Sequence, residues 1–183
     1  MSYILGTKLN ECIATSEIIV KKSKFLGFVY VVDSETTAQS IIKEMKEKYR
    51  DARHVVYAYT LKNTAKFSDD GEPQGTAGKP IYDILQKLEL INTLVIVVRY
   101  FGGVLLGAGP LLRAYKDTAC EALGSCEKTE YIEYITKEIT VEYKDERNAL
   151  TMLYNRNVKV KEIIRTDKVK IICLVPLNVD MDL

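Results

Sequence analysis

The spacing of apolar and polar side chains divides the first part of the chain into strands and helices. Residues 17–32 are rich in β-branched and aromatic side chains around a polar interruption, which predicts two strands joined by a turn. Apolar residues recur at helical spacing over 34–50, and Ser34 is suited to cap that helix. Alternation returns after His54 and predicts a further strand over 55–60.

Proline and glycine residues mark the next two helices. Pro80 suits the first turn of a helix whose following residues carry an apolar face. Leu, Val and Ile residues over 92–100 predict a central strand that is buried on both faces. After the glycine-rich loop 101–109, Pro110 opens a third helix, which Gly124 is expected to end in the left-handed conformation.

The pattern restarts after the polar segment 124–130, which we interpret as a linker. Beyond it the sequence predicts a strand, a helix and two strands, over 134–143, 145–154, 158–165 and 169–175. This order is the first two-thirds of a ferredoxin-like βαββαβ unit, whose last helix and strand are missing. The remaining residues, 176–183, suffice for about two helical turns.

We therefore predict an α+β fold with two domains, at 1–128 and 129–183, the second of which is truncated. A missing fourth strand leaves a sheet edge with unpaired backbone groups. We expect the last residues of the chain, or another chain, to cover this edge. The oligomeric state itself stays open.

Composition and charge narrow the functional classes. The 183 residues are 47% hydrophobic and 28% charged, and 26 basic against 25 acidic residues give a net charge of +1. This balance fits a globular chain and argues against a polybasic protein that coats nucleic acid or a disordered acidic one. The single histidine excludes a zinc site built from several histidines.

The ends and the cysteines indicate a cytoplasmic protein. The sequence shows no signal peptide and no apolar run long enough to span a membrane, so we expect no membrane association. The four cysteines form no CxxC pair and are expected to be reduced, which fits a cytoplasmic location.

An acidic, glycine-rich segment at 69–81 is the first candidate site. It runs into a predicted helix N-terminus, where glycine amides and the helix dipole attract anions, while its acids suit a cation or acid–base chemistry. The alternative is a structural turn, with Asp70 accepting loop amides and Thr76 capping the helix. The candidate residues are Asp70, Glu72, Gly75, Thr76, Gly78 and Lys79.

The second candidate site, residues 97–115, has the order strand, glycine loop and helix, a layout that can hold phosphate. It lacks the spacing of a Walker A loop or a dinucleotide-binding fingerprint. Its arginines suit phosphates, and its loop aromatics suit stacking on bases. The alternatives are aromatics packed between layers and arginines paired with Asp70, Glu72 or Asp83. The candidate residues are Arg99, Tyr100, Phe101, Gly102, Gly103, Gly107, Gly109, Arg113 and Tyr115.

His54, at the start of a predicted strand, is the third candidate. An enzyme would use it as a general acid or base. The alternative is a hydrogen-bonded structural histidine near an edge of the sheet. No serine or cysteine lies in a nucleophile-elbow motif, so a catalytic triad is not supported.

Together these segments closely resemble the IMPACT/YigZ family. The motifs are ARHVVYAY at 52–59, DDGEPQGTAGKPI at 69–81 and VVRYFGGVLLGAGPLLRAY at 97–115. The likeness to the IMPACT-type N-terminal domain covers 17–124, and the rest resembles the ferredoxin-like domain of bacterial YigZ-type members. Pro110 departs from the family, which usually has glycine there, and the C-terminus stops before the family's last helix and strand.

The resemblance implies a first domain similar to the ribosomal-protein and GHMP-kinase βαβ superfamily, a sheet with helices on one face. It implies a second domain similar to the ferredoxin-like module of elongation factor G. In function it implies a non-catalytic binding protein that contacts RNA, the ribosome or a protein partner in the regulation of translation under stress.

Two alternatives stay open beside RNA or ribosome binding. One is a small-molecule enzyme that binds phosphate or a nucleotide through Asp70, Glu72 and His54. The other is a protein-interaction regulator that binds no nucleic acid. A proline-dipeptidase activity, attached to some family members, is not supported, because one histidine cannot form the usual two-metal site. No metal and no cofactor is expected.

Overall fold

The computed structural model describes residues 2–6, 8–177 and 179, and the chain divides into two compact units between Tyr131 and Ile132. The strands of the first unit are β1 (Tyr3–Leu5), β2 (Cys12–Val20), β3 (Ser23–Val31), β4 (His54–Thr60), β5 (Ala65–Ser68), β6 (Thr93–Tyr100) and β7 (Lys128–Glu130). Its helices are α1 (Glu35–Lys48), α2 (Gly78–Lys87) and α3 (Ala108–Gly124). Among the described residues, no helix of the chain has the length and apolar content needed to cross a membrane.

A five-stranded antiparallel sheet in the order β2-β3-β6-β4-β5 organises the first unit. β6 lies at its centre, and the side chains of residues 94–98 are completely buried. A strand that is hydrogen-bonded on both sides and covered on both faces needs apolar side chains at consecutive positions. The predicted doubly buried strand is thereby confirmed.

The helices cover both faces of this sheet. α1 packs on one face, where Ile41 meets Tyr57 of β4 and Ile96 of β6. α2 and α3 pack on the other face, to which Val56 and Val97 belong. The α+β class is confirmed, but the expectation of helices on a single face is wrong. β4 and β6 are apolar at consecutive positions, so both of their faces have to be covered.

The helix ends follow local sequence signals, with two differences at α3. Ser34 caps α1 as predicted, and its Oγ accepts a hydrogen bond from the amide of Thr37 at 3.2 Å. α3 begins at Ala108, before Pro110, which still lies in the first turn, where amides lack intrahelical acceptors. Gly124 belongs to the last turn and its φ is not positive, so the predicted left-handed conformation is wrong.

The segment interpreted as a linker contains β7, which pairs antiparallel with β1. In this register Tyr3 lies opposite Glu130 and Leu5 opposite Lys128. The ammonium of Lys128 lies 3.6 Å from the centre of the Tyr3 ring, a cation–π contact. Residues 128–130 are therefore a strand of the first unit and not a free linker.

The second unit consists of β8 (Tyr134–Val141), a 3₁₀ turn (Tyr143–Asp145), α4 (Glu146–Asn155), β9 (Lys159–Arg165) and β10 (Val169–Pro176). Its antiparallel sheet has the order β8-β10-β9, and Leu153 of α4 is buried against it. The predicted strand–helix–strand–strand order is confirmed, and it is the first part of a ferredoxin-like unit. Asp145, which precedes α4, makes no capping hydrogen bond with its side chain.

β8 lies at an edge of this sheet and pairs only with β10 among the described residues. The expectation that the last residues cover such an edge concerns residues 176–183, most of which lie outside the described ranges. Pairing of this edge with another chain stays a prediction.

We predict that Gly102→Ala destabilises the first unit and that Gly109→Ala does not. A Cβ at Gly102 would overlap the backbone of Lys22 and Ser23, so one of the two loops has to move, at a cost of about 1–3 kcal/mol. A Cβ at Gly109 meets no other atom within 4 Å and replaces glycine by a better helix former. Urea unfolding of both variants measures the difference, and equal stabilities would contradict the close approach of the two loops.

Candidate functional site

Asp69 organises the acidic loop, because its carboxylate accepts hydrogen bonds from amides in the loop and at the start of α2. Its Oδ1 accepts hydrogen bonds from the amides of Ala77 at 3.1 Å and Gly78 at 2.8 Å, and its Oδ2 accepts one from Gly75 at 2.9 Å. The hydroxyl of Thr76 donates to a carbonyl of the same loop at 2.6 Å. These amides were expected to bind an external anion. They already donate hydrogen bonds to acceptors within the chain.

Asp70 also has a role inside the protein. Its φ is 46°, its Oδ2 accepts a hydrogen bond from the amide of Val55 at 2.7 Å, and its Oδ1 pairs with the ammonium of Lys46. Both carboxylate oxygens are thus occupied. The structural alternative for this loop correctly assigned loop amides to an aspartate, but the residue that accepts them is Asp69 and not Asp70.

A buried polar cluster joins the loop to the central strand and to α3. The Glu72 side chain is 4% exposed, and its Oε1 accepts hydrogen bonds from Arg99 Nη1 at 2.5 Å and from the Tyr115 hydroxyl at 2.8 Å. The Arg99 guanidinium lies 5.5 Å from the ring centre of Phe25 and 5.8 Å from that of Phe101. These contacts compensate the desolvation of two charges, which is otherwise costly. Pairing of Arg99 with an acid, one of the alternatives above, is confirmed.

His54 completes the cluster from the start of β4, directly opposite Arg99 on β6. Its Nδ1 lies 2.8 Å from the carbonyl oxygen of Asp70, and its Nε2 lies 3.7 Å from Glu72 Oε2. A carbonyl only accepts hydrogen bonds, so Nδ1 carries a hydrogen in this arrangement. The other ring nitrogen then faces a Glu72 carboxylate oxygen at a distance too long for a hydrogen bond.

These residues lie at a cavity of about 480 Å³. Five candidates from the sequence contribute to its wall: His54, Glu72, Arg99, Phe101 and Gly107. Sequence reasoning did not select the other wall residues, which are Arg53, Pro73, Leu105, Leu106, Ala108 and Leu111. All of them fall within the three motifs. Their proximity along the chain to the selected residues is the sequence signal that could have identified them. Charged side chains and apolar side chains both line the cavity.

Tyr100 is separated from this cavity. Its side chain packs on the α1 face of the sheet, because consecutive residues of a strand point to opposite faces, and Arg99 points to the other. The Tyr100 hydroxyl donates to Asp51 Oδ1 at 3.2 Å. Burial, with a smaller contribution from Asp51, raises the pKa of Tyr100. Arg99 and Tyr100 therefore do not form one surface for a nucleotide.

The remaining candidates lie outside the cavity wall. Lys79 pairs with Asp83 one turn further along α2, and Arg113 is exposed on α3. Gly103 adopts a φ of 84° in the loop, and Gly109 lies in the first turn of α3. Among the described residues, no three side chains of the metal-binding types converge on one point.

The first unit is an antiparallel sheet covered by helices on both faces, with a charged cavity at the end of its central strand, and the second unit is ferredoxin-like, so the chain is a two-unit α+β protein. The family model of the Impact N-terminal domain matches residues 21–123. A Thermus thermophilus IMPACT family member is 33% identical over 158 residues, 86% of this chain and 87% of that protein. The chain belongs to the IMPACT family.

Two further comparisons agree. The Bacillus subtilis IMPACT family member YvyE is 42% identical over 110 residues, 58% of this chain, and the chain spans about half of that relative, 51% of its length. A solved structure described as the crystal structure of an hypothetical protein has a TM-score of 0.68 at 27% identity, covering 96% of this chain and 86% of that one. This likeness extends through both units.

We predict that Asp69→Ala lowers the free energy of unfolding by about 1–2 kcal/mol, because two amides at the start of α2 and one in the preceding loop lose their acceptor. The matched control is Asp83→Ala, which removes only an exposed pair with Lys79 on the same helix and should change stability by less than about 0.5 kcal/mol. Chemical denaturation monitored by circular dichroism measures both. An Asp69 variant as stable as the control would disprove the capping role.

We predict that the free energy of unfolding decreases as the pH rises above about 10. Tyr115 contributes to this decrease. Burial and the Glu72 carboxylate raise the pKa of Tyr115 above its ordinary value of 10.0, and burial raises the pKa of Tyr30 and Tyr59 to about 12. The unfolded chain therefore releases these protons first, and stability falls as the pH rises from the unfolded towards the folded pKa.

Tyr115→Phe tests this contribution. The variant loses a hydrogen bond at neutral pH, about 1 kcal/mol, but its stability should fall less steeply above pH 10 than that of the wild type. Urea midpoints measured from pH 8 to 12 give the two slopes. Identical slopes would show that Tyr115 does not hold its proton more tightly in the folded state.

Proposed function

We propose that this chain is a non-catalytic binding protein in the regulation of translation, and that it contacts a protein partner through the loop that follows β6. The regulatory role rests on membership of the IMPACT family. The protein partner rests on the chemistry of this loop. Of the three classes of function that the sequence left open, the protein-interaction regulator is the one that the positions of the side chains favour.

The observation that carries the proposal is a group of exposed apolar side chains in the loop, here called the apolar loop. Phe101 is 47% exposed, Val104 45% and Leu105 84%. Clustered apolar side chains at the surface are typical of contact sites for other proteins. Gly102 packs this loop closely against the β2–β3 turn, at the backbone of Lys22 and Ser23.

The predicted phosphate ligands favour a protein over RNA as the partner. Arg99 is buried and its charge is balanced by Glu72, Lys79 is paired with Asp83, and Tyr100 lies on the opposite face. Of the predicted RNA ligands this leaves Arg113 and Phe101 at the surface, whereas RNA binding of this type needs several free cations beside exposed aromatic rings. The small-molecule enzyme draws support from His54 and Glu72 but not from Asp70, whose carboxylate Val55 and Lys46 already occupy.

We predict that Leu105→Ser abolishes the capture of specific protein partners. The wild type is expected to capture these proteins from a nuclease-treated lysate of the host cell. The substitution removes the most exposed apolar side chain of the apolar loop and no internal contact, so the fold should be unchanged. Tyr154→Ser is the matched control, because that residue is 82% exposed on α4 in the second unit. It should leave the captured proteins unchanged.

Two outcomes would contradict the proposal. In the first, nuclease removes the captured proteins, and the purified chain binds RNA with an affinity that falls steeply with salt, which indicates an RNA ligand. In the second, the Leu105 and Tyr154 variants capture the same proteins as the wild type, which excludes the apolar loop as the contact.

A further inference from the structure

We propose that the cavity beside α3 binds a small organic anion, a phosphate or carboxylate attached to an apolar body, with the anionic group at the N-terminus of α3. This ligand goes beyond the protein contact proposed above, and each can exist without the other. Four observations support it: the state of the α3 N-terminus, a buried guanidinium in the wall, the charge of the wall and the shape of the cavity.

The N-termini of α2 and α3 differ in one respect that bears on anions. Asp69 supplies a carboxylate to the first amides of α2. In α3 the residue before the helix is Gly107, with a φ of 80°, and no side chain caps the helix start among the described residues. The first amides of a helix have no intrahelical acceptor and attract negative charge. Gly107 and Ala108 line the cavity, so an anion there would meet these amides.

A buried arginine in the same wall is an independent observation. The Arg99 side chain is 6% exposed and lines the cavity, and its Nε has no hydrogen-bond partner among the described residues. A buried donor without an acceptor is uncommon, and because this Nε is sealed from solvent it leaves the guanidinium incompletely satisfied without itself contacting a ligand. An anion in the cavity would also reduce the electrostatic cost of this buried guanidinium, which Glu72 and two aromatic rings balance in part.

The net charge of the cavity wall is positive, which favours an anion. Arg53 and Arg99 face a single acid, Glu72, and His54 can only add positive charge. Glu72 is already engaged by Arg99 and Tyr115, which leaves the charge of Arg53, exposed at the rim, without compensation inside the wall. The anionic group is therefore expected at the rim, between Arg53 and the start of α3, and away from the Glu72 carboxylate.

The rest of the ligand follows from the shape and lining of the cavity. Its volume of about 480 Å³ lies in the range of small-molecule sites and exceeds what a bare inorganic ion fills. Leu106 and Leu111 are buried in its wall, and Phe101 and Leu105 extend the apolar surface outward. An apolar or aromatic body attached to the anion would cover these side chains and gain from leaving water.

Titration of the isotope-labelled protein with phenyl phosphate and with benzoate, followed by NMR, tests the proposal. Two comparison probes separate its parts: benzyl alcohol keeps the ring without the charge, and inorganic phosphate keeps the charge without the ring. At least one organic anion should shift the amide signals of Ala108 and Gly109 and bind about tenfold more tightly than either comparison probe. If benzyl alcohol or inorganic phosphate binds equally well, or if no probe shifts these signals at millimolar concentration, the proposal is wrong.

A pair of variants locates the anionic group without disturbing the fold. Ala108→Asp places a carboxylate at the exposed start of α3, which should keep or raise the melting temperature through the helix dipole while weakening the bound organic anion about tenfold. Ala108→Asn, of the same shape without the charge, should weaken the organic anion much less than Ala108→Asp does. Equal affinities of the two variants would exclude the α3 N-terminus as the anion site.

A second pair tests the arginine at the rim. Arg53→Ala should weaken the same organic anion several-fold, because it removes the uncompensated charge. Arg113→Ala is the matched control, since this residue is exposed on α3 and lies outside the cavity wall. An Arg53 variant with unchanged affinity, or a control that weakens binding to the same extent, would overturn the assigned position of the anion.

Discussion

The buried pair of Arg99 and Glu72 is the interaction on which the first unit depends. It joins the central strand to the acidic loop, and Tyr115 extends it to α3. Two charges removed from water are tolerated only when their geometry and their remaining hydrogen bonds are good, so the loop, the strand and the helix are held in one arrangement. Arg99 and Glu72 also lie in the cavity wall, so the same pair fixes part of the shape of the cavity.

The two glycine-rich loops look alike in the sequence but have different roles. Both precede a helix, and both carry glycines with positive φ, such as Gly75 and Gly107. In the first loop Asp69 fills the helix start from within the chain. In the second loop no side chain among the described residues does so, and the surrounding wall is positive and apolar. A glycine-rich loop before a helix therefore indicates an anion site only when no acceptor within the chain already binds the helix amides.

The parts that could be predicted from the sequence are those that short-range spacing determines. β6 follows from a continuous apolar run, and α1 follows from Ser34 and an apolar face. The cap by Asp69 could not be predicted, because it acts on an amide nine residues away, far from the usual capping position. Glu72 was one of three acids expected as partners of the arginines, and the choice among them for Arg99, 27 residues distant, depends on how the loop folds back onto the sheet.

The pairing of β1 with β7 has a consequence for the order in which the chain folds during synthesis. The partner of residues 3–5 emerges only at 128–130, so this two-stranded sheet cannot form before nearly all of the first unit has been synthesised. The contact has the largest sequence separation among the strand pairs and needs a nearly complete unit to bring its ends together. The matched family domain, 21–123, contains neither strand, so a fragment cut to those limits would lack this closure.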